Sequence, residues 1–304
     1  MTLIVEQLLN GLLYGVMLFL LAAGLTLIFG IMGVINLAHG SLYMIGAFMG
    51  AFVAVQSGMF WLGLPAAILA AMVVGIAIEL GIMRKLYQRD HLDQVLATFS
   101  LILIFNELTV LTFGRQPVFI QLPASLAQPV ALLEGLSYPP FRLLIIAAGL
   151  LVAAGLYVFI NRTRIGMLVR AGSTNRDMVR ALGVDIRLLY TLVFALGAAF
   201  AGLAGFMTGP ILAVQVGMGE QILLATFVVV VIGGVGSIKG AFIAGISLGI
   251  IDTCLRAFLP GILRNVMAAA QADALGVGIA SMGIYLLMAI VLLFRPRGLF
   301  PVGG

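Results

Sequence analysis

Charge is what this sequence has least of. Only 9% of its 304 residues are Asp, Glu, Lys or Arg, where a soluble domain carries about a quarter. No Lys or Arg occurs before Arg84. A water-exposed globular surface is therefore excluded, and with 63% hydrophobic residues the chain reads as an integral membrane protein. One cysteine, Cys254, excludes an internal disulfide. The two histidines, His39 and His91, come with no H-E-x-x-H and no paired cysteines, so no metal centre is expected. GGVGSIKG has the glycines of a phosphate loop but not its spacing, and no G-x-S-x-G accompanies His39 and Ser41. No cofactor is expected, and the chain is not read as an enzyme. The net charge of +5 is an arginine excess on one membrane face rather than a nucleic-acid footprint. The N-terminus, MTLIVEQ, lacks the basic region of a cleavable signal.

Apolar runs fill the rest. A spanning helix needs about 20 apolar residues, and such runs are expected at 8–30, 42–55, 61–83, 95–113, 141–160, 188–209, 221–239, 241–257 and 276–294. The reading is an all-α polytopic bundle of eight or nine spans in a single domain, 1–304. Clustered Lys and Arg mark the cytoplasmic side. Placing 84–94, 161–187, Lys239 and the tail inside puts twelve of the sixteen basic residues there, with the N-terminus outside. Residues 114–140 hold five of the ten prolines and are expected to form an ordered, non-helical external loop.

The polar insert 161–187 carries Arg162, Arg164, Arg170, Arg176, Arg180 and Arg187. Thr174 and Asp177 have the spacing of a capping box. Met178, Val179 and Leu182 make a short apolar stripe, and Gly183 is a helix stop. A short amphipathic helix on the cytoplasmic face is expected, with nothing in this chain to cover its stripe. That is a docking surface for a soluble partner.

Two glycine-rich breaks interrupt the spans, GIMGVINLAHGS at 30–41 and GGVGS at 233–237. Irregular backbone at membrane depth survives where it faces protein or a water-filled cavity, and free helix ends there suit polar solutes. Asn36, His39 and Ser41 in the first break are candidate pathway residues. Asn106 and Glu107 join them, because an ionisable group inside a span is costly and usually functional. Glu79, Asp252, Arg256 and Arg142 lie nearer span ends and are expected to snorkel to the interface.

Three stretches carry a family resemblance: GLTLIFGIMGVINLAHGSLYMIGAF (24–48), RTRIGMLVRAGSTNRDMVRALGVD (162–185) and FVVVVIGGVGSIKGAFIAGISLGII (227–251), with RPRGLFP at 295–301. Together they resemble the LivH-type permease of branched-chain amino acid ABC importers, over essentially the whole chain. The resemblance implies a multi-pass protein of the bacterial inner membrane, in contact with membrane lipid. It implies pairing with a LivM-like second permease, two cytoplasmic ATP-binding subunits that hydrolyse ATP, and a periplasmic solute-binding protein. The insert would then be the coupling helix, with Arg176, Asp177, Met178, Arg180, Leu182 and Gly183 against an ATPase. Family members that carry branched-chain amino acids often have an acidic residue after His-Gly, where this chain has Ser41. Urea, short amides and other carboxylates are therefore open as substrates. The rival readings are an ion-coupled secondary carrier, which would need a carboxylate relay with Glu107 in it, and a passive channel, which would need no docking helix.

Overall fold

The computed structural model describes residues 2–133 and 135–300; Pro301, the last residue of the RPRGLFP ending, and Gly304 lie outside them. Among the described residues, eight helices are long and apolar enough to cross a membrane: α1 (Thr2–Met32), α2 (His39–Ser57), α3 (Phe60–Leu86), α4 (His91–Phe113), α6 (Pro140–Arg162), α9 (Ile186–Leu212), α11 (Ile238–Leu263) and α12 (Ala269–Phe294). Between them lie three short helices, α5 (Ala124–Ala127), α7 (Arg164–Thr174) and α8 (Arg176–Ala181). A further one, α10 (Met218–Gly233), has 16 residues, about 24 Å at 1.5 Å per residue. That falls short of the roughly 30 Å hydrocarbon core, so the expected ninth span is a partial one.

The expected loop at 114–140 is partly regular. It contains the α5 turn and an antiparallel hairpin of β1 (Val130–Leu133) and β2 (Leu136–Tyr138). Its start is pinned by a two-way backbone bridge between Val118 and Val214, at 2.8 and 2.9 Å. Prolines forbid a long helix, but four residues of one turn and a short ladder still satisfy the backbone.

The core forms around α1, whose residues from Val16 to Ile28 are almost all buried. Close approach is what the glycines supply. A Cβ added to Gly15 would stand 2.7 Å from the Gly245 carbonyl oxygen, so α1 and α11 meet backbone to backbone. In lipid, where apolar burial drives little between helices, such contact is a main source of cohesion. Phe19 closes the same seam edge-on against Phe242, with ring centroids 5.1 Å apart.

Polar groups at span ends are paired rather than snorkelled. Arg142 Nη1 and the Tyr138 hydroxyl both donate to Asn10 Oδ1, at 2.9 and 3.0 Å. Arg256 holds the buried Asp252 carboxylate through two bonds, at 2.8 and 3.0 Å, and donates to Ser281 across to α12. Where a partner stands within reach on the next helix, pairing costs less than stretching to the interface.

Candidate functional site

Helix α1 stops because Gly33 takes φ +66°, a conformation glycine adopts without strain. Residues 33–38 are non-helical, and α2 begins at His39. Asn36 thus lies in the break itself, not on a shared helical face with His39. Two contacts locate the segment. At one end, a Cβ on Gly30 would stand 2.8 Å from Gly236 Cα, in the second break; at the other, a Cβ on Gly40 would stand 2.5 Å from the Gly219 carbonyl oxygen, at the start of α10. The first break therefore runs back along α10, and the two irregular stretches adjoin.

Within it, Asn36 and His39 have no exposed surface, and Ser41 is buried beside them in α2. Neither the amide of Asn36 nor either ring nitrogen of His39 makes a hydrogen bond of ordinary geometry among the described residues, although the Leu21 backbone lies beside the His39 ring. His39 Nε2 faces the middle of α1: a Cβ on Gly24 would stand 2.8 Å from it and 2.7 Å from the Gly197 carbonyl oxygen of α9. Buried polar groups are nearly always bonded, and each left unpaired costs about 1–3 kcal/mol. Four such atoms are thus concentrated in two residues where the first break meets α2.

Asn106 and Glu107 lie on α4. Helix α4 is peripheral, so Glu107 is exposed on the outside of the bundle and not its most interior ionisable group. Asn106 donates to the Glu220 carboxylate of α10. Among the described residues the most interior carboxylate is Glu79, at the head of a π-helical turn, Glu79–Met83, in α3. Its Oε1 accepts from Arg84 Nε at 3.0 Å and from the Tyr87 hydroxyl at 2.9 Å, and Oε2 accepts from Thr191 at 2.8 Å. Burial, and then the Glu79 charge, push the Tyr87 phenol well above its ordinary range. The sequence carried little signal, since Glu79 and Arg84 stand five residues apart, a spacing that shares a face only through the π turn. The Thr191 partner, more than a hundred residues away, gave none.

The insert folds as two helices instead of one. Thr174 ends α7, and Asn175 rather than Thr174 caps α8, accepting from the Met178 amide at 3.0 Å. Asn175 is the better cap because its backbone is extended (φ −153°) where the chain turns between helices. Arg176 opens α8, and Asp177 and Arg180 are exposed on it. Gly183 stops it at φ +83°. Of the expected stripe, Met178 and Leu182 are exposed at 58% and 76%, whereas Val179 is buried against the chain's own core at 4%. A cavity of about 350 Å³ separates this insert from the end of α1, with Ile31, Gly33, Ser173 and Asp177 on its walls.

Among the described residues, a bundle of eight apolar helices, joined in part by glycine-bounded polar segments and bearing a short exposed helix, defines a polytopic membrane protein. Residues 7–293 match the family described as branched-chain amino acid transport system / permease component, and the chain belongs to that family. It is 30% identical to the high-affinity branched-chain amino acid transport system permease protein BraD of Pseudomonas aeruginosa, over 97% of this chain and 94% of that one. To the permease protein LivH of Escherichia coli K12 it is 28% identical, over the same shares. To the permease protein LivM of that strain it is also 28% identical, over 93% of this chain and 67% of LivM. No solved structure matches the chain.

Proposed function

We propose that this chain is the membrane subunit of a binding-protein-dependent, ATP-driven importer of the bacterial inner membrane. In this reading it pairs with a LivM-like permease and carries a branched-chain amino acid or a related small polar or carboxylate solute. The observation that supports it best is the unpartnered pair Asn36 and His39, fully buried in a helix break. Asn36 offers donor and acceptor, and neutral His39 offers both as well. Neutral groups of this kind let a solute pass without trapping it, which suits a pathway whose affinity resides in a separate binding protein. Ser41 lies two residues beyond His39 in α2.

Asn106 and Glu107 take a different part. A carboxylate facing lipid is costly, so the outer face of α4 with Glu107, continued by Glu220 on α10, is where the second permease covers this one. A pathway between the two would then be walled by these groups. At the cytoplasmic end, Met178 and Leu182 dock an ATP-binding subunit, flanked by Arg176, Asp177, Arg180 and Gly183. The cavity beside Asp177 and Gly33 gives the docked insert a direct neighbour in the first break.

The ion-coupled carrier is less well supported. Among the described residues the two buried carboxylates, Glu79 and Asp252, are each tied to an arginine, which removes them from a proton or sodium relay. The deciding experiment reconstitutes the chain in liposomes, alone and with the products of its neighbouring genes. Uptake is expected to need ATP, the second permease and the binding protein together. Uptake by the chain alone, driven by an ion gradient, would overturn the reading.

A further inference from the structure

Another cavity opens beside the two breaks, with Gly30 and Ile31 of the first and Gly236 and Ser237 of the second on its walls. It measures about 610 Å³ and sits between α1, α6, α7 and the turn that opens α11. Its depth is apolar, walled by Phe19, Leu27, Leu150, Leu156 and Phe242. Its mouth is polar and basic, with Asn161, Arg170, Ser173 and Lys239. The mouth lies where α1, α6 and the Gly236 turn all finish, the end that the arginine distribution predicts to be cytoplasmic.

We propose that this cavity is a binding site for an anionic phospholipid, with an acyl chain between α1, α6 and α11 and the phosphate between Arg170 and Lys239. Three observations carry it. The volume is in the range of ligand pockets, about 300–1,000 Å³. No Asp or Glu lines the cavity, and both cations are exposed, so the mouth is complementary to a negative headgroup. Lys239 makes no ion pair among the described residues, its Nζ resting 5.5 Å from the Phe300 ring. Arg170 spends one donor on Asn161, at 3.2 Å, and has others to offer. Finally, Thr26 Oγ1 on the α1 wall is fully buried with no partner among the described residues, a donor for a lipid glycerol or ester oxygen. Basic pockets between spans on the cytoplasmic side are suited to anionic headgroups. Because Arg170 belongs to α7, a bound lipid would brace the insert against α1. The inference requires only that the chain lie in a bilayer, whatever solute it carries.

Native mass spectrometry of the full chain, exposed to phosphatidylglycerol or to phosphatidylcholine with the same acyl chains, tests this. The wild type is expected to retain phosphatidylglycerol preferentially. Arg170→Ala with Lys239→Ala is expected to lower that retention by about tenfold or more and to abolish the preference. Ala153→Trp, which fills the apolar depth, is expected to reduce retention of both lipids. Lys85→Ala with Arg297→Ala, cytoplasmic cations outside the cavity, is expected to leave retention unchanged. Equal retention of the two lipids by the wild type, or unchanged phosphatidylglycerol in the Arg170/Lys239 variant, overturns the proposal. So does displacement of the lipid by glycerol phosphate at equal concentration, which would make the site one for a free phosphate. If Ala153→Trp does not insert, the charge variants decide alone.

Discussion

Arg84 donates its Nε to Glu79 Oε1 at 3.0 Å across a π-helical turn, and the two differ sharply in exposure: the arginine side chain is 34% exposed and the carboxylate 0%. The π turn sets them five residues apart on one face. It also brings Thr191 of α9 into the same network, since Arg84 Nη2 donates to its hydroxyl at 2.9 Å. Arg84→Ala leaves the carboxylate buried without its counter-charge. Removing one partner of a buried pair costs about 3–5 kcal/mol, and the exposure of Arg84 lowers this to roughly 2–3. Thermal unfolding in detergent should show the loss, and Glu79→Leu with Arg84→Met should recover most of it. An unchanged midpoint for Arg84→Ala would remove the pair from any account of stability.

Asn36→Leu and His39→Leu separate passage from folding. Asn36 has no side-chain hydrogen-bond partner to lose, and His39 has only the Leu21 backbone beside its ring, so the complex should remain about as stable as the wild type. Uptake should fall by about tenfold, the value of one hydrogen bond to the passing solute, or selectivity should shift. Melting temperature and uptake are measured side by side. A lower melting point with unaltered selectivity among the folded molecules refutes the pathway role.

Within the insert, burial distinguishes residues that docking cannot affect equally. Met178→Asp and Leu182→Asp place a charge on the exposed stripe. The permease should still insert and stay folded, while substrate-stimulated ATP hydrolysis is lost. Val179→Asp buries its charge against the chain's own core, at a cost of several kcal/mol, and should expose the insert to protease even in the isolated subunit. Normal stimulation in both Met178 and Leu182 variants would end the coupling assignment.

Glycine contacts between spans predict a graded series. A Cβ on Gly249 would collide with the backbone of Gly15, whereas one on Gly155 meets nothing within 4 Å. Gly249→Ala should cost about 1–3 kcal/mol by overpacking and lower the yield of folded protein. Gly155→Ala should be neutral or slightly stabilising, since alanine is the better helix former. Fluorescence-detected size-exclusion of the two variants provides the comparison.

Orientation has its own check. With no Lys or Arg before Arg84 and basic residues at 295 and 297, Thr2 should lie outside and the C-terminal end inside. Cysteine labelling at Thr2 and Gly303, in a Cys254→Ser background, should modify them from opposite sides. Labelling of both from one side would sink the arrangement.

The spans were legible because apolar length is a local property, and so was the break at 30–41, where glycines and polar residues coincide. The capping residue of α8 was not, because Thr174 and Asn175 are both competent caps and the α7–α8 turn chooses between them. Glu107 and Glu79 exchanged places for a related reason. Both look equally apolar in context, and only the packing of α4 on the periphery and α3 against α9 decides which is buried. Proximity of the first break to α10 was beyond reach for the same reason as Thr191: the contact joins segments nearly two hundred residues apart.

The burial of α1 has a consequence for how the protein is made. Its innermost contacts are with α11, which leaves the ribosome about 200 residues later. At roughly 5–20 residues per second, α1 stands for some ten to forty seconds with its glycine-lined side uncovered. Its length and apolarity let it wait in lipid, but its permanent neighbours arrive last. A nascent chain stalled before α11 would therefore carry an open seam along its first helix, a mark by which membrane quality control could tell an unfinished copy from a complete one.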